Sequence, residues 1–215
     1  MKDYLQINKK AYNTLAQEFY DKDDVRDPPS KAISNYFVGH LKKRFHNPFI
    51  LELGPGTGHI AKFMTNSGCN VDAIEFSDKM AEICRKNSPK TNLIFGDFLD
   101  YDFQDKKYSG ILAVAFIHLF NSEDVKLVMK KVHGLLDKRG LALISTTLND
   151  KVEEGYFVKE NFSGEVKRFR RRYTPSEIEN LINDTNFDIV ESNISEDSES
   201  REKKWMNYLI EKVKL

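Results

Sequence analysis

The chain has 215 residues, and its 33 lysines and arginines balance 33 aspartates and glutamates, so no global field draws it to nucleic acid or to a membrane surface. That length fits one α/β domain with a full core, and the two cysteines, Cys69 and Cys84, lack metal-ligand spacing, which excludes a disulfide scaffold and a cysteine-rich metal centre. No apolar run approaches the roughly 20 residues needed to cross a bilayer, and no charged-apolar-small leader opens the sequence, so a soluble protein of the reducing cytoplasm is the expectation.

In chain order, Tyr4, Leu5, Ile7, Ala11, Tyr12, Leu15, Ala16 and Phe19 recur at near-helical spacing and predict an amphipathic helix ending near Tyr20. Residues 21–30 read as a loop closing on Pro28-Pro29-Ser30, followed by a second helix over 31–45. An apolar strand, 49–53, then runs into Gly54-Pro55-Gly56-Thr57-Gly58 and a helix over 59–66. A strand over 71–75, a helix over 78–86 and a strand over 92–95 continue a βαβαβ rhythm. Residues 111–115 are continuously apolar, as expected of a parallel strand covered on both faces.

Ser122, Glu123 and Asp124 open a helix that runs to about Leu136, by capping and dipole logic, and a strand follows over 140–147. Residues 149–161 read as a long loop and a candidate substrate lid, with Tyr156 and Phe157 bracketed by charged residues. Thr174-Pro175-Ser176-Glu177 starts another helix, with Thr174 as cap and Pro175 at the first position. Residues 187–194 alternate with period two, whereas 203–213 fit helix or strand by composition. The stretch 195–203 between them has no apolar residue and reads as a mobile hairpin loop. No internal repeat is present.

The glycine loop carries the chemistry. Glycines are needed where the backbone turns with positive φ or lets a ligand approach closer than a Cβ allows, and the helix behind aims its free N–H groups at that ligand. Gly54, Gly56 and Gly58 read G-x-G-x-G rather than the G-x-G-x-x-G of a dinucleotide loop, with His59 in the last place, which argues against NAD. With no Lys-Ser/Thr pair after the glycines, a Walker-type phosphate loop is excluded too. A nucleoside ligand fits better. Glu75 ends the second strand 21 residues after Gly54, the usual place of a carboxylate that clamps two ribose hydroxyls.

With the loop Glu52 to Gly58, Glu75, Gly96-Asp97-Phe98 after the third strand, the apolar fourth strand, and the turn Leu135 to Gly140 before the fifth, the chain resembles the class I, seven-stranded, S-adenosylmethionine-dependent methyltransferases of small-molecule type. The resemblance covers most of the chain and implies a Rossmann-like, three-layer αβα fold. Its mostly parallel sheet would have the order 3-2-1-4-5-7-6, with strand 7 antiparallel, which assigns 203–213 to a strand. It also implies one methyltransferase domain, with an N-terminal helical lid over 1–46, a cofactor-binding core over 47–147 and a substrate-side part over 148–215.

The cofactor is then S-adenosyl-L-methionine, leaving as S-adenosyl-L-homocysteine. Asp97 and Phe98 would border the adenine, Met80 would cover its face, and Tyr12 and Tyr20 resemble lid tyrosines. Glu52, Phe76, Ala113 and Ala115, with the three glycines and Glu75, complete the expected cofactor contacts. Each also has a plain structural reading: an aspartate after a strand often caps a helix, and Phe98, Met80 and both tyrosines suit a packed core.

For the substrate, His118 stands at the end of the fourth strand, where active-site residues collect in open α/β folds. Its imidazole suits a general base, a substrate-orienting group or a buried loop-holding histidine. Lys167-Arg168-Phe169-Arg170-Arg171-Arg172-Tyr173 is the densest basic run, and Arg168, Arg170 and Arg172, with Tyr173 and Tyr156, are the candidate substrate contacts. Arginines there pair bidentately with a carboxylate or phosphate, and the same run also suits an RNA backbone or a protein. The acidic stretch 191–202 and the neutral total give no extended positive track, so a small anionic or zwitterionic acceptor is expected rather than nucleic acid. No metal is expected, and the partners are a small-molecule substrate and at most a second copy in a homodimer. Two other classes remain open: a non-catalytic S-adenosylmethionine-binding protein and a nucleotide-dependent oxidoreductase.

Overall fold

Ile50 and Leu51, neighbours on strand β1 (Phe49–Leu53), are both fully buried but belong to two different apolar clusters, one on each face of a sheet. The same alternation runs through β4 (Tyr108–Val114), where Ile111 and Ala113 join one cluster and Leu112 the other, and through Leu141 to Ile144 on β5 (Leu136–Thr147). Successive side chains on a strand point to opposite faces, so continuous apolar runs signal strands covered on both sides.

The computed structural model describes residues 2–24, 29–159, 162–196 and 203–213. Its main sheet has seven strands in the order β3-β2-β1-β4-β5-β9-β8, completed by β2 (Asn70–Glu75), β3 (Asn92–Phe95), β8 (Phe187–Glu196) and β9 (Lys204–Lys212). The strands from β1 to β5 are parallel, and β9 runs antiparallel between β5 and β8. With β8 and β9 as the sixth and seventh core strands, this is the expected 3-2-1-4-5-7-6 order.

One face is covered by α5 (Asp124–Leu135), through Val125, Val128, Met129 and Val132, and by α6 (Pro175–Asp184), through Ile178, Leu181 and Ile182. The other is covered by α2 (Pro29–Lys42), through Phe37, Val38 and Leu41, and by α3 (His59–Asn66), through Ala61 and Met64. Helix α4 (Asp78–Asn87) follows β2, and α1 (Asp3–Asp24) lies across the carboxyl ends of the strands, packing on α4 and on the added strand β7 (Lys167–Arg172). The apolar face of α2 packs on the sheet, and its Ile33 also lines the cavity at the strands' carboxyl ends.

Several boundaries differ from the sequence reading. Residues 21–24 and 29–30 are helical rather than loop, residues 25–28 lie outside the described residues, and α2 stops at Lys42. Strand β4 begins at Tyr108 and ends at Val114, and β5 begins at Leu136, whose pairing with Tyr108 precedes a register irregularity. Asn121, not Ser122, caps α5, its Oδ1 accepting from Asp124 N at 2.8 Å. Residues 195–196, expected in a hairpin loop, belong to β8, and 197–202 lie outside the described residues.

The largest correction concerns 149–161: 153–158 form strand β6 (Glu153–Val158), paired antiparallel with β7 in a two-stranded ribbon. The acidic start of one strand meets the basic end of the other, Glu153 opposite Arg172 and Glu154 opposite Arg171, with ion pairs of 2.9 and 2.6 Å. Opposite charges facing across an antiparallel pair stabilise the ribbon that neither segment announces alone.

Gly110 on β4 marks where α2 comes closest, since a Cβ there would stand 2.5 Å from Leu41 Cδ1 and 2.9 Å from Phe37 Cζ. Both neighbours are fully buried. Gly110→Val is therefore expected to lower unfolding free energy by about 1–3 kcal/mol through overpacking, read as a lower urea midpoint at unchanged slope.

Candidate active site

All three loop glycines adopt left-handed backbone, with φ of 66° at Gly54, 55° at Gly56 and 84° at Gly58. They serve different ends. A Cβ on Gly54 would meet Phe116 Cδ2 at 2.9 Å and one on Gly58 would meet Cys84 Sγ at 2.8 Å, whereas one on Gly56 meets nothing within 4 Å. Gly56 therefore faces open cavity, while Gly58 lets α3 pack against α4 and does not line the cavity.

The Glu75 carboxylate, buried at the end of β2, accepts from Phe76 N at 2.9 Å, Ser77 N at 2.8 Å and Gly56 N at 3.3 Å. Burial raises its pKa to about 7 against the opposing pull of these three donors. Glu52 on β1 is buried beside it, its Oε2 has no partner among the described residues, and burial with the nearby Glu75 charge raises it to about 8. Asp97 stands after β3, where its Oδ1 accepts from Leu99 N at 3.0 Å, and burial raises its pKa. It is thus both a turn cap and a cavity wall. Met80 and Phe98 are buried side chains that also line the cavity, as do Phe76 and Ala115.

This cavity has a volume of about 590 Å³, within the range of small-molecule sites. Ala115 closes β4 in the left-handed region, φ 54°, a conformation that costs a non-glycine residue roughly 1–2 kcal/mol. It starts the turn that carries His118 into the cavity wall. His118 is buried, both ring nitrogens lack partners among the described residues, and its pKa is pushed well below the usual value by burial and by Arg170, Arg168, Lys159 and Lys203. The imidazole is neutral at physiological pH, with one N–H to give and one lone pair to accept.

The basic run is sorted by the period of β7. Arg168, Arg170 and Arg172 line the cavity. Arg171 turns away, into ion pairs with Glu154 and Glu177. Arg168 donates to Tyr12 Oη at 2.5 Å and Arg170 to Thr147 Oγ1. The register also sets Tyr156 opposite Phe169, with which its ring packs at 5.8 Å, so Tyr156 is exposed rather than in the cavity.

Tyr173 is buried behind the His118 turn and donates to Ile117 O at 3.3 Å, a supporting position away from the cavity. Ala113 is buried inside β4, and Tyr20 packs on His59 at 6.1 Å, neither of them on the wall.

Sequence reasoning missed how α1 is held. Asn13 Oδ1 accepts from Ser77 Oγ at 2.7 Å and Lys79 N at 3.0 Å, docking the helix on the start of α4. Farther along, Glu18 accepts from Ser163 N at 2.9 Å and Ser163 Oγ at 2.6 Å, and Phe19 packs on Phe162 at 4.4 Å. It also missed Ser145 and Asn207, joined at 2.7 Å, and Lys159 and Trp205, all on the cavity wall. Polar residues on β5 and β9 give no sequence signal until the sheet order sets them side by side.

A sheet of this order, with a glycine loop after β1 and a carboxylate ending β2, defines the class I, S-adenosylmethionine-dependent methyltransferase fold. Residues 50–140 match the family described as a methyltransferase domain. It is 29% identical over 204 residues to the ubiquinone biosynthesis O-methyltransferase of Rickettsia typhi, covering 86% of this chain and 82% of that protein. An uncharacterized methyltransferase of Oceanobacillus iheyensis is 27% identical over 131 residues, 59% of this chain and 62% of that relative, so the shared stretch spans less than two thirds of it. Among solved structures, the 1,6-didemethyltoxoflavin-N1-methyltransferase of Burkholderia thailandensis, with S-adenosylhomocysteine bound, superposes with a TM-score of 0.76 at 16% identity. That match covers 99% of this chain and 90% of that one.

Donors from a ribose favour the ionised form of Glu75, which lies near pH 7 in the free protein. Affinity for S-adenosylhomocysteine is expected to rise with pH through about 7 and to level off above it. Glu75→Ala should weaken binding by roughly 10- to 150-fold, the loss of a charged hydrogen bond of about 1.5–3 kcal/mol. Calorimetric titration across pH checks both, and a pH-independent dissociation constant unchanged in the variant would remove Glu75 from the site.

Proposed function

We propose that the protein transfers a methyl group from S-adenosylmethionine to a small anionic or zwitterionic acceptor. The observation that carries this reading is the division of one cavity into an acidic end, with Glu52, Glu75 and Asp97, and a basic end, with Arg168 and Arg170 beside the Glu153-paired Arg172. The acidic end fits the cofactor. Gly56 leaves backbone approach open, Glu75 suits a ribose diol, and the unpartnered Glu52 oxygen suits the amino-acid portion. Met80 and Phe98 offer apolar faces for a base, with Asp97 beside them to accept from its amino group. S-adenosylmethionine supplies an electrophilic sulfonium methyl.

The protein's own work is alignment and exclusion of water. Holding the acceptor in a near-attack position contributes on the order of 7–11 kcal/mol. Helix α1 and the ribbon meet at Phe19 and Phe162 over the cavity, which shields it from bulk water. Neutral His118 accepts a hydrogen bond from the acceptor's O–H or N–H and holds the proton that leaves as the new bond forms. A macromolecular substrate is disfavoured, because Arg171 and Arg172 are paired with glutamates and so do not extend a track for a nucleic-acid backbone. Cys69 and Cys84 are both free and buried, in keeping with a reducing cytoplasm, and no helix of the described residues is long and apolar enough to cross a membrane.

Release of S-adenosylhomocysteine in the presence of a panel of small acids tests the reading. For an acceptor so found, His118→Asn is expected to lower kcat about 100-fold, at the low end of acid–base catalysis, with cofactor affinity unchanged. Arg170→Gln should instead raise the acceptor's KM by about tenfold, by loss of a charge-assisted contact. Normal turnover of the His118 variant would take the imidazole out of the reaction.

A further inference from the structure

Lys159 follows β6 and lies on the cavity wall with the β7 arginines, outside the acidic end assigned above to the cofactor. Its ammonium stands 4.4 Å over the Phe162 ring and 5.3 Å over the Phe19 ring, at the seam where α1 meets the ribbon. Among the described residues, the charged groups that act most strongly on it are cationic: Arg168 and Arg170 from β7, Lys203 before β9 and Lys22 from α1, with the neutral His118 of the turn after β4 feeling the same cations. The α1 acid Glu18 is engaged by Lys22 at 3.0 Å and by Ser163. Among the described residues no carboxylate lies within ion-pair distance of Lys159 or Arg168.

Like charges gathered against aromatic walls are disfavoured until a negative charge enters among them. Burial, then the neighbouring cations, pull Lys159 down to about 7, so near neutral pH only part of the population carries the ammonium while the site is empty. An arriving anion reverses that balance. Phe157, Phe162 and Trp205 line the same part of the cavity, with Arg172, Lys22 and Lys203 standing over their rings in turn, so an aromatic acid meets both apolar surface and positive charge there.

We propose that Lys159 sets the charge specificity of the acceptor site, holding together with Arg168 the anionic oxygen group, carboxylate or phosphate, of an aromatic acceptor. The inference rests on the methyltransferase reading for its setting and adds a residue and a substrate class to it. Binding of such an acid draws a proton from the buffer onto the Lys159 amine, and the restored ammonium also gains from the rings of Phe19 and Phe162.

The test titrates the S-adenosylhomocysteine-saturated protein with benzoate, phenyl phosphate and neutral benzamide by calorimetry, near neutral pH, in two buffers of different ionisation enthalpy. The acids are expected to bind at least about tenfold more tightly than benzamide, as charge-assisted contacts do, with a buffer-dependent heat that reports proton uptake. The ratio of benzoate to phenyl phosphate affinity identifies the anionic group. Lys159→Met should abolish both the preference and the uptake. Lys159→Arg, permanently charged, should keep the preference and lose the uptake.

Unchanged S-adenosylhomocysteine affinity shows that both variants are folded. Equal binding of benzamide and the acids, no binding of either acid, or a Lys159→Met protein that keeps preference and uptake would overturn the proposal while leaving the methyltransferase reading in place. Failure of the wild-type protein to bind S-adenosylhomocysteine would overturn that reading and this one together.

Discussion

The Glu75 carboxylate is the constraint on which the acidic end of the molecule depends. One side chain at the end of β2 gathers backbone donors from its own turn, Phe76 and Ser77, and from the glycine loop, Gly56. Two segments far apart in sequence are thereby fixed relative to each other. The turn it stabilises ends at Ser77, whose hydroxyl caps α4 and donates to Asn13 on α1. Helix α1 is thus anchored to the same turn that shapes the acidic end of the cavity. A carboxylate this buried resists ionisation unless donors surround it, so occupancy, ionisation and the seating of α1 are linked.

The separation of charge follows from topology. In an open α/β sheet the loops at the carboxyl ends of the strands form the site. Strands β1, β2 and β3 lie on one side of β4 and deliver Glu52, Glu75 and Asp97. On the other side, β5 and β9 deliver Ser145 and Asn207, and the β6–β7 ribbon adds Arg168 and Arg170 above them. One cavity thereby presents carboxyl groups at one end and guanidinium groups at the other, which is the arrangement the proposed cofactor and acceptor need. The ribbon is an insertion between the fifth and sixth core strands, and its own stability comes from cross-strand pairs such as Glu153 with Arg172, which leave Arg168 directed inward.

What could be read in the sequence was local. The glycine loop, Glu75, the Thr174-Pro175 cap and the strand–helix rhythm each state their structure in a few adjacent residues; Thr174 Oγ1 does accept from Glu177 N, at 3.3 Å. The rest depends on partners distant in the chain. Residues 153–158 look like a charged loop until Arg171 and Arg172 lie opposite. Gly56 and Gly58 share a spacing and a positive φ, yet only packing against Cys84 separates a structural glycine from one that faces the cavity. Tyr173 closes the basic run in sequence but supports the His118 turn from behind, because β7 alternates sides.

His118 shows why the same end of the cavity suits proton transfer. A histidine with unsatisfied ring nitrogens in a closed interior is a costly residue to bury. Its turn is reached only through the strained Ala115. Strain and unmet hydrogen-bonding capacity in one short segment are features that persist where function uses them. Burial, and then the cations around His118, keep the ring neutral, which leaves a lone pair free to accept a proton. A proton so accepted would be held poorly among those cations. An acceptor bringing its own negative charge relieves that repulsion, so the chemistry assigned to the imidazole and the anionic character assigned to the acceptor depend on each other.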